Sequence, residues 1–297
     1  MLRTKLLTLS AVTAAAALSL TACAPSSSQG GGGDAAGSSS AGESTSSGSG
    51  ERLRIGIKFD QPGLGYREGS AQPTGFDTDV ARYVADKLGV AEKDIEWVQT
   101  PSANRENALE NGEVDMIFAT YSITDARKER VAFAGPYFVA GQDLLVRADD
   151  TAITGPESLE GKNLCSVTGS TSAQKIKDQF ASGVNLVEQG GYAECVTYLE
   201  SGQVDAVTTD DIILAGLAAA DANKGKFKVV GNTFTTERYG VGLPKDSERC
   251  EDINGAIKEM KDSGEWKKAL ESNTEGTGYT YDETLNSGED AEFEPCA

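Results

Sequence analysis

Two hydroxyl side chains and an arginine follow one mainly apolar stretch of this sequence, and together they could hold a carboxylate. The run 114–119 is typical of a strand covered on both faces. Thr120 and Ser122 follow it, and Thr124 lies three residues before Arg127, which predicts a helix capped by the Thr124 side chain. Hydroxyls, free amides of a first helical turn and a guanidinium would then meet at the strand end. An ordinary loop with a solvated arginine is the alternative.

A repeat of this stretch favours the functional interpretation. Residues 110–120, ENGEVDMIFAT, recur as ESGQVDAVTTD at 200–210, which predicts two similar α/β units. The second strand ends at Asp210 and Asp211 instead of at hydroxyls followed by an arginine. Because ligands bind beyond the carboxyl ends of strands in open α/β sheets, one unit would offer a cation and the other an anion. A zwitterion satisfies both, whereas two core strands that are alike by chance leave the opposite charges unexplained.

The N-terminus predicts export and a lipid anchor. Arg3 and Lys5 precede the apolar run 6–20, which ends in Leu20-Thr21-Ala22-Cys23, a sequence that resembles a bacterial lipoprotein signal. We therefore expect residues 1–22 to be a signal peptide and Cys23 to carry fatty acids such as palmitate; an uncleaved membrane anchor is the alternative. Residues 23–50 are rich in Ser and Gly and predict a disordered tether to the outer face of the cell membrane.

Composition excludes several functions. Loss of Arg3 and Lys5 with the signal peptide moves the formal charge from −19 to −21, which argues against nucleic acid as a partner. The sequence has no histidine, and this removes Ser-His-Asp and Cys-His catalysis as well as histidine metal sites. We expect a monomer without cofactor or metal.

Four cysteines besides Cys23 should be oxidised outside the cell. Of three possible pairings we favour Cys165 with Cys195 and Cys250 with Cys296, since the others would staple the two units together and obstruct a hinge. Free thiols are the alternative.

Other charged and polar residues lie where predicted elements begin or end. Alternation over 53–57 predicts a strand with Lys58 at its exit, and Ser102 could cap a helix over 103–111. Arg105 would then lie in a first turn, where a cation opposes the helix dipole, so it is either solvated or functional. Residues 168–172, including Thr171, form a Gly/Ser/Thr turn typical of an anion nest.

Strands predicted at 142–147 and 239–243 would cross between the units and form a hinge. This gives residues 51–143 as the first part of lobe 1, 144–240 as lobe 2, and 241–297 as the return to lobe 1 with a C-terminal tail. The triplet Gly135-Pro136-Tyr137 is expected to break the first pattern.

Three motifs resemble those of the polar amino-acid substrate-binding proteins of ABC importers, the bacterial solute-binding protein family 3. They are Gly75-Phe76-Asp77-Thr78-Asp79-Val80-Ala81, residues 122–127 and residues 133–137. The resemblance spans about residues 51–275 and implies an α/β, two-lobed periplasmic-binding-protein fold with two crossing hinge strands. It also implies an α-carboxylate clamp at Arg127, Ser122, Thr120 and Thr171, and an α-ammonium acceptor at Asp210.

The resemblance implies a distal site as well. Members that bind acidic amino acids have a Lys at the first strand exit and an Arg in an Asn-Arg pair, which Lys58 and Arg105 match, and Tyr192 matches a tyrosine that touches the distal carboxylate. These groups favour L-glutamate or L-aspartate over glutamine, although Asp60 and Asp211 nearby leave a neutral or cationic ligand open.

We therefore expect a lipid-anchored, extracytoplasmic protein that delivers an acidic amino acid to a permease with its ATPase subunit, and not an enzyme. A glutamine-binding component, a sensor for a membrane kinase and a dehydratase-like enzyme on the same scaffold are the alternatives.

Overall fold

Strands and helices alternate along residues 52–180 and 183–296, the part of the chain that this computed structural model describes. The strands are β1 (Leu53–Ile57), β2 (Asp60–Gln61), β3 (Gly65–Tyr66), β4 (Ile95–Gln99), β5 (Met116–Phe118), β6 (Ala132–Ala140), β7 (Gln142–Arg147), β8 (Asn163–Val167), β9 (Asn185–Gln189), β10 (Ala206–Asp210), β11 (Phe227–Val229) and β12 (Glu237–Leu243). The helices are α1 (Phe76–Lys87), α2 (Arg105–Glu110), α3 (Asp125–Lys128), α4 (Thr171–Lys175), α5 (Tyr192–Glu200), α6 (Asp211–Ala219), α7 (Cys250–Asp262), α8 (Glu265–Thr274) and α9 (Glu283–Ser287).

Lobe 1 is built on a five-stranded sheet with the order β4-β1-β5-β12-β6. β1 lies parallel to β4 and β5, whereas β12 runs antiparallel to β5 and β6. Leu53, Ile55 and Ile57 are fully buried, as their alternation in the sequence predicts. Helices α1, α7 and α8 cover this sheet and pack on one another. Because β1, β4 and β5 are parallel, their carboxyl ends lie at the same edge of the sheet.

Lobe 2 is built on a second five-stranded sheet with the order β11-β7-β10-β8-β9. β8 is parallel to β9 and β10, and β7 is antiparallel to β10 and β11. The disulfide Cys165–Cys195 joins β8 to α5 within this lobe. The second disulfide, Cys250–Cys296, fastens the C-terminal segment to α7, so the favoured pairing is the one present.

The chain passes between the sheets twice. β6 ends at Ala140 and β7 begins at Gln142, while β12 returns the chain from lobe 2 to the first sheet. The predicted two-lobed fold with two crossing strands is thus confirmed. β12 begins at Glu237, two residues earlier than expected, whereas the lobe boundaries at 143/144 and 240/241 stay predictions.

The expected break at Gly135-Pro136-Tyr137 is wrong, because β6 runs through it. Gly135 has a φ of 105°, the Gly135–Pro136 bond is cis, and the pairing with β12 shifts register between Tyr239 and Val241. The amide of Gly135 donates to Asn254 Oδ1 at 2.7 Å, so a side chain supplies the acceptor at this irregularity.

Residues 275–296 pack along the two crossing strands. Asn286 accepts from the Val139 amide and donates to the Val139 carbonyl, both at 2.9 Å, and Arg238 donates to the Asp290 carbonyl at 2.8 Å. No helix in the described part of the chain is long and apolar enough to cross a membrane. The predicted signal peptide, Cys23 and the tether lie outside the described residues.

Candidate functional site

The side chains predicted to bind a ligand meet between the two lobes. Lobe 1 supplies Lys58, Arg105, Thr120, Ser122 and Arg127, and lobe 2 supplies Thr171, Tyr192 and Asp210. Direct contacts join the two sets: Ser122 Oγ lies 3.3 Å from Thr171 Oγ1, and Lys58 Nζ lies 5.7 Å from the centroid of the Tyr192 ring. The structure therefore has the lobes closed on one another.

Arg127 occupies the predicted carboxylate seat. The Thr124 side chain accepts from the Arg127 amide at 3.3 Å, so the predicted helix cap is confirmed. The guanidinium donates to the carbonyls of Ser122 at 2.7 Å and Gly169 at 3.0 Å, and its Nε lies 3.2 Å from Glu106 Oε1. The contact with Gly169 bridges the lobes, and the pairing with Glu106 fixes the plane of the guanidinium.

Thr120 has a strained backbone that a buried carboxylate holds in place. Its φ is 46°, a left-handed conformation that a β-branched residue rarely adopts. The Thr120 amide donates to Asp77 Oδ2 at 2.9 Å, and Tyr137 donates to the other oxygen of Asp77 at 2.8 Å. Burial raises the pKa of Asp77 to about 6. Strain of this kind clusters at functional sites.

The turn before α4 presents lobe 2 to the same seat. Ser170 accepts from the Ala173 amide at 3.0 Å and caps the helix, and Thr171 begins it. Gly169 has a φ of 80°, and a Cβ there would lie 2.7 Å from Ala103 Cα of lobe 1. Only glycine therefore lets this turn approach lobe 1 so closely.

Asp210 forms an anionic seat at the end of β10. It is 3% exposed; Oδ2 accepts from the Tyr239 hydroxyl, and Oδ1 has no hydrogen-bond partner among the described residues. Burial raises the pKa of Asp210 well above its usual range, and the neighbouring Glu237 carboxylate raises it further. Lys175 Nζ lies 2.9 Å from Glu237 and partly offsets this repulsion.

Two buried cations lie on the lobe 1 side. Lys58 is 2% exposed and donates to Ser102 Oγ at 3.2 Å; burial lowers its pKa to about 8. Arg105 is also 2% exposed, and burial lowers its pKa to about 10. Its Nη1 donates to the Ala119 carbonyl at 3.0 Å, while its Nε lacks a partner within the part of the chain that the structure describes.

Asp60 and Asp211, the two acids that were compatible with a cationic ligand, already interact with groups of the protein. Asp60 Oδ2 accepts from the Tyr192 amide at 2.9 Å, and Asp60 Oδ1 lies 3.9 Å from Lys58 Nζ. Asp211 Oδ1 accepts from its neighbour's amide, that of Ile212, at 2.7 Å. Asp60 therefore bridges the lobes, a role that sequence reasoning missed because Tyr192 lies 132 residues away in the chain.

Sequence reasoning also missed Glu106 and Tyr121. The Tyr121 ring lies 4.2 Å from the guanidinium carbon of Arg105 and 4.9 Å from that of Arg127. Its hydroxyl donates to Glu106 Oε1 at 2.7 Å. The position of Tyr121 between Thr120 and Ser122 was the one available signal.

The geometry is that of a protein that binds a small charged solute between two closing lobes. The chain belongs to the bacterial extracellular solute-binding proteins, family 3, whose model matches residues 53–274. This membership implies a location outside the cytoplasm.

Relatives and solved structures agree with this family. The glutamate-binding protein GluB of Corynebacterium efficiens is 48% identical over 232 residues, 74% of this chain and 78% of that protein. The ABC transporter glutamine-binding protein GlnH of Bacillus subtilis is 38% identical over 219 residues, 73% of this chain and 78% of that protein. A solved ancestral arginine-binding protein bound to glutamine has a TM-score of 0.68 at 36% identity, covering 74% of this chain and 96% of that one. The two relatives are substrate-binding proteins, not enzymes.

Proposed function

We propose that this protein captures L-glutamate for an ABC importer. Arg127, Ser122, Thr120 and Thr171 bind the α-carboxylate, Asp210 accepts the α-ammonium, and the distal carboxylate meets Arg105, Lys58 and the Tyr192 hydroxyl. The closed form then docks on a permease driven by an ATPase subunit. A lipid on Cys23 keeps the protein at the outer face of the cell membrane.

One observation carries the assignment of an acidic ligand. Arg105 and Lys58 are both 2% exposed, and Arg105 Nε has no partner in the described residues. A buried donor left unpaired costs about 1–3 kcal/mol and a charged one more. A ligand carboxylate removes this cost, whereas the neutral amide of glutamine brings no charge to pair with the buried Arg105 guanidinium.

The carboxyl group of Asp210 on the lobe 2 side of the site supports a zwitterion as the ligand. Asp210 is buried with Oδ1 unpartnered among the described residues, so a ligand ammonium at this oxygen would favour the charged carboxylate that burial disfavours. A micromolar affinity corresponds to about 8 kcal/mol, which a few charge-assisted hydrogen bonds can supply after the cost of closure.

Glutamine is the second candidate, because a relative at 38% identity is named for it. Calorimetry with L-glutamate, L-aspartate, L-glutamine and L-asparagine separates the two. We expect the acids to bind 10–100 times more tightly than their amides, and Arg105→Ala to remove that margin. Arg130→Ala is the matched control, since Arg130 pairs with Glu110 at the surface outside the cleft. Equal or tighter binding of glutamine would overturn the acidic assignment.

The importer role and the anchor need a cellular test. Deletion of the gene should abolish high-affinity glutamate uptake, and the permease should co-purify with the protein. Cys23→Ser should release the protein from the membrane fraction without changing its affinity in solution. Co-purification with a membrane kinase instead of a permease would favour a sensor.

A further inference from the structure

We propose that Tyr121, fixed by Glu106, is a positioning residue that sets the separation of Arg105 and Arg127 and thereby favours L-glutamate over L-aspartate. This inference rests on the proposed function, since it assigns one guanidinium to each ligand carboxylate. Neither Tyr121 nor Glu106 needs to touch the ligand.

The first step is the shared ring. The Tyr121 side chain is fully buried, and both guanidinium carbons lie over its ring, at 4.2 Å for Arg105 and 4.9 Å for Arg127. The two guanidinium carbons are therefore at most about 9 Å apart, and the electron-rich ring face attracts both. Contact with the ring replaces some of the solvation that each buried guanidinium has lost.

The second step is that the ring cannot move. Its hydroxyl donates to Glu106 Oε1 at 2.7 Å, and it packs against Phe133 with centroids 4.8 Å apart. A Cβ at Gly242 would lie 2.6 Å from Tyr121 Cε1, so the absence of a side chain there admits the ring. The ring is thus held at its edge, at its hydroxyl and by the neighbouring strand.

The third step concerns Glu106, which connects the ring to only one of the arginines. Glu106 Oε1 lies 3.2 Å from Arg127 Nε and also accepts from Tyr121, so one carboxylate fixes both the clamp and the spacer. Arg105 precedes Glu106 in α2 and keeps its Nε without a partner in the described chain. The charge of Arg105 is therefore left for an incoming carboxylate.

The fourth step is ligand length. The carboxyl carbons of extended glutamate lie about 5 Å apart and those of aspartate about 4 Å, by ordinary bond geometry. Two guanidiniums that both rest on one immobile ring keep their separation when the ligand changes, so they cannot adjust to the shorter acid. Aspartate must therefore leave one of the two guanidiniums incompletely paired, whereas the extra methylene of glutamate bridges the gap.

The test is the ratio of glutamate to aspartate affinity, measured by calorimetry with both amides included. We expect the wild type to prefer glutamate at least tenfold, and Tyr121→Leu to bring the ratio to within about threefold of one while acids still outcompete amides. Glu106→Gln keeps the shape of the side chain and should lower the ratio in the same direction, which keeps the test decisive if Tyr121→Leu fails to fold. Tyr83→Leu is the control, because it also removes a tyrosine ring beside a cation but lies outside the cleft. Lys87 Nζ lies 5.2 Å from the centroid of the Tyr83 ring.

A purely structural role for Tyr121 would weaken all four ligands alike and leave the ratio unchanged, and that result overturns the inference while the proposed function stands. A wild type that does not prefer acids to amides overturns the proposed function and this inference with it.

Discussion

The Tyr239 hydroxyl donates a 2.5 Å hydrogen bond to Oδ2 of Asp210, so a strand of lobe 1 holds the carboxylate of lobe 2. Asp210 ends β10, and Tyr239 lies in β12 at the hinge. The contact orients the carboxylate and engages one of its oxygens. The other oxygen has no hydrogen-bond partner among the described residues and can accept from a ligand, and burial makes the ionised form of this carboxyl costly.

Asp210→Asn should therefore abolish ligand capture and stabilise the ligand-free fold. We expect the affinity for glutamate to fall at least 100-fold, because the ammonium loses its charged partner. Above the ordinary aspartate pKa of about 3.9, a carboxylate whose folded pKa is raised destabilises the fold, so removing the charge should raise the melting temperature near neutral pH. Calorimetry and thermal melting measure both, with the exposed Asp221→Asn as control. Undiminished binding would show that Asp210 is not the ammonium acceptor.

Gly216→Ala should act as a wedge between the lobes. A Cβ at Gly216 in α6 would lie 2.1 Å from the Pro62 carbonyl of lobe 1, so full closure is blocked. We expect about a tenfold loss of affinity, because part of the closed form is lost, with no loss of thermal stability, since alanine favours a helix interior by up to about 1 kcal/mol. Gly255→Ala in α7 meets nothing within 4 Å and is the matched control. Equal affinities for the two variants would mean that binding does not require this closure.

Glutamate binding should weaken as pH rises from 7 to 9, and glutamine binding should not follow it. Burial lowers the pKa of Lys58 to about 8, so the free protein loses this cation across that range. A bound carboxylate favours the charged amine, which predicts proton uptake on binding near pH 8 and about a tenfold loss of glutamate affinity by pH 9. Calorimetry in buffers of different ionisation enthalpy measures the uptake. Lys58→Met should flatten the difference between the ligands, and parallel pH profiles in the wild type would contradict the role of Lys58.

Breaking the Cys250–Cys296 disulfide should free the C-terminal segment from the hinge. The bond closes a loop with a sequence separation of 46, for which chain entropy gives about 3–4 kcal/mol of unfolding free energy. The double serine variant should melt earlier and be cut by proteases beyond residue 274. Serine at Cys165 and Cys195 should also lower stability but leave that segment protected, because the bond lies in lobe 2. Equal protease patterns for both variants would argue against the anchoring role.

Elements with a strong local pattern could be predicted from the sequence. The repeated segments form equivalent units, with Gly112 at φ 65° and Gly202 at φ 75° after their helices and β5 and β10 beyond. An apolar run and a glycine stop decide these features within a dozen residues, and the cap at Thr124 is equally local.

The features that the sequence predicted wrongly or not at all depend on contacts between residues far apart in the chain. The Ser102 side chain does not cap a helix; residues 102–104 form a 3₁₀ turn and the Ser102 hydroxyl accepts from Lys58, 44 residues away. The strain at Thr120 is held by Asp77, 43 residues away. The surroundings of Arg105 likewise depend on where Tyr121 falls after folding, which no spacing in the sequence reveals.

The strands of the second sheet all fall between Gln142 and Val229, and the chain that leaves this segment returns to its beginning: the Gln142 amide donates to Thr235 Oγ1 at 3.0 Å. The proposed ammonium acceptor Asp210 is therefore encoded, together with Thr171 and Tyr192, by one uninterrupted piece of the gene, whereas Lys58, Arg105 and Arg127 are encoded outside it. Recombination at two points that are close in space but distant in sequence could therefore exchange the whole lobe 2 half of the binding site in a single event.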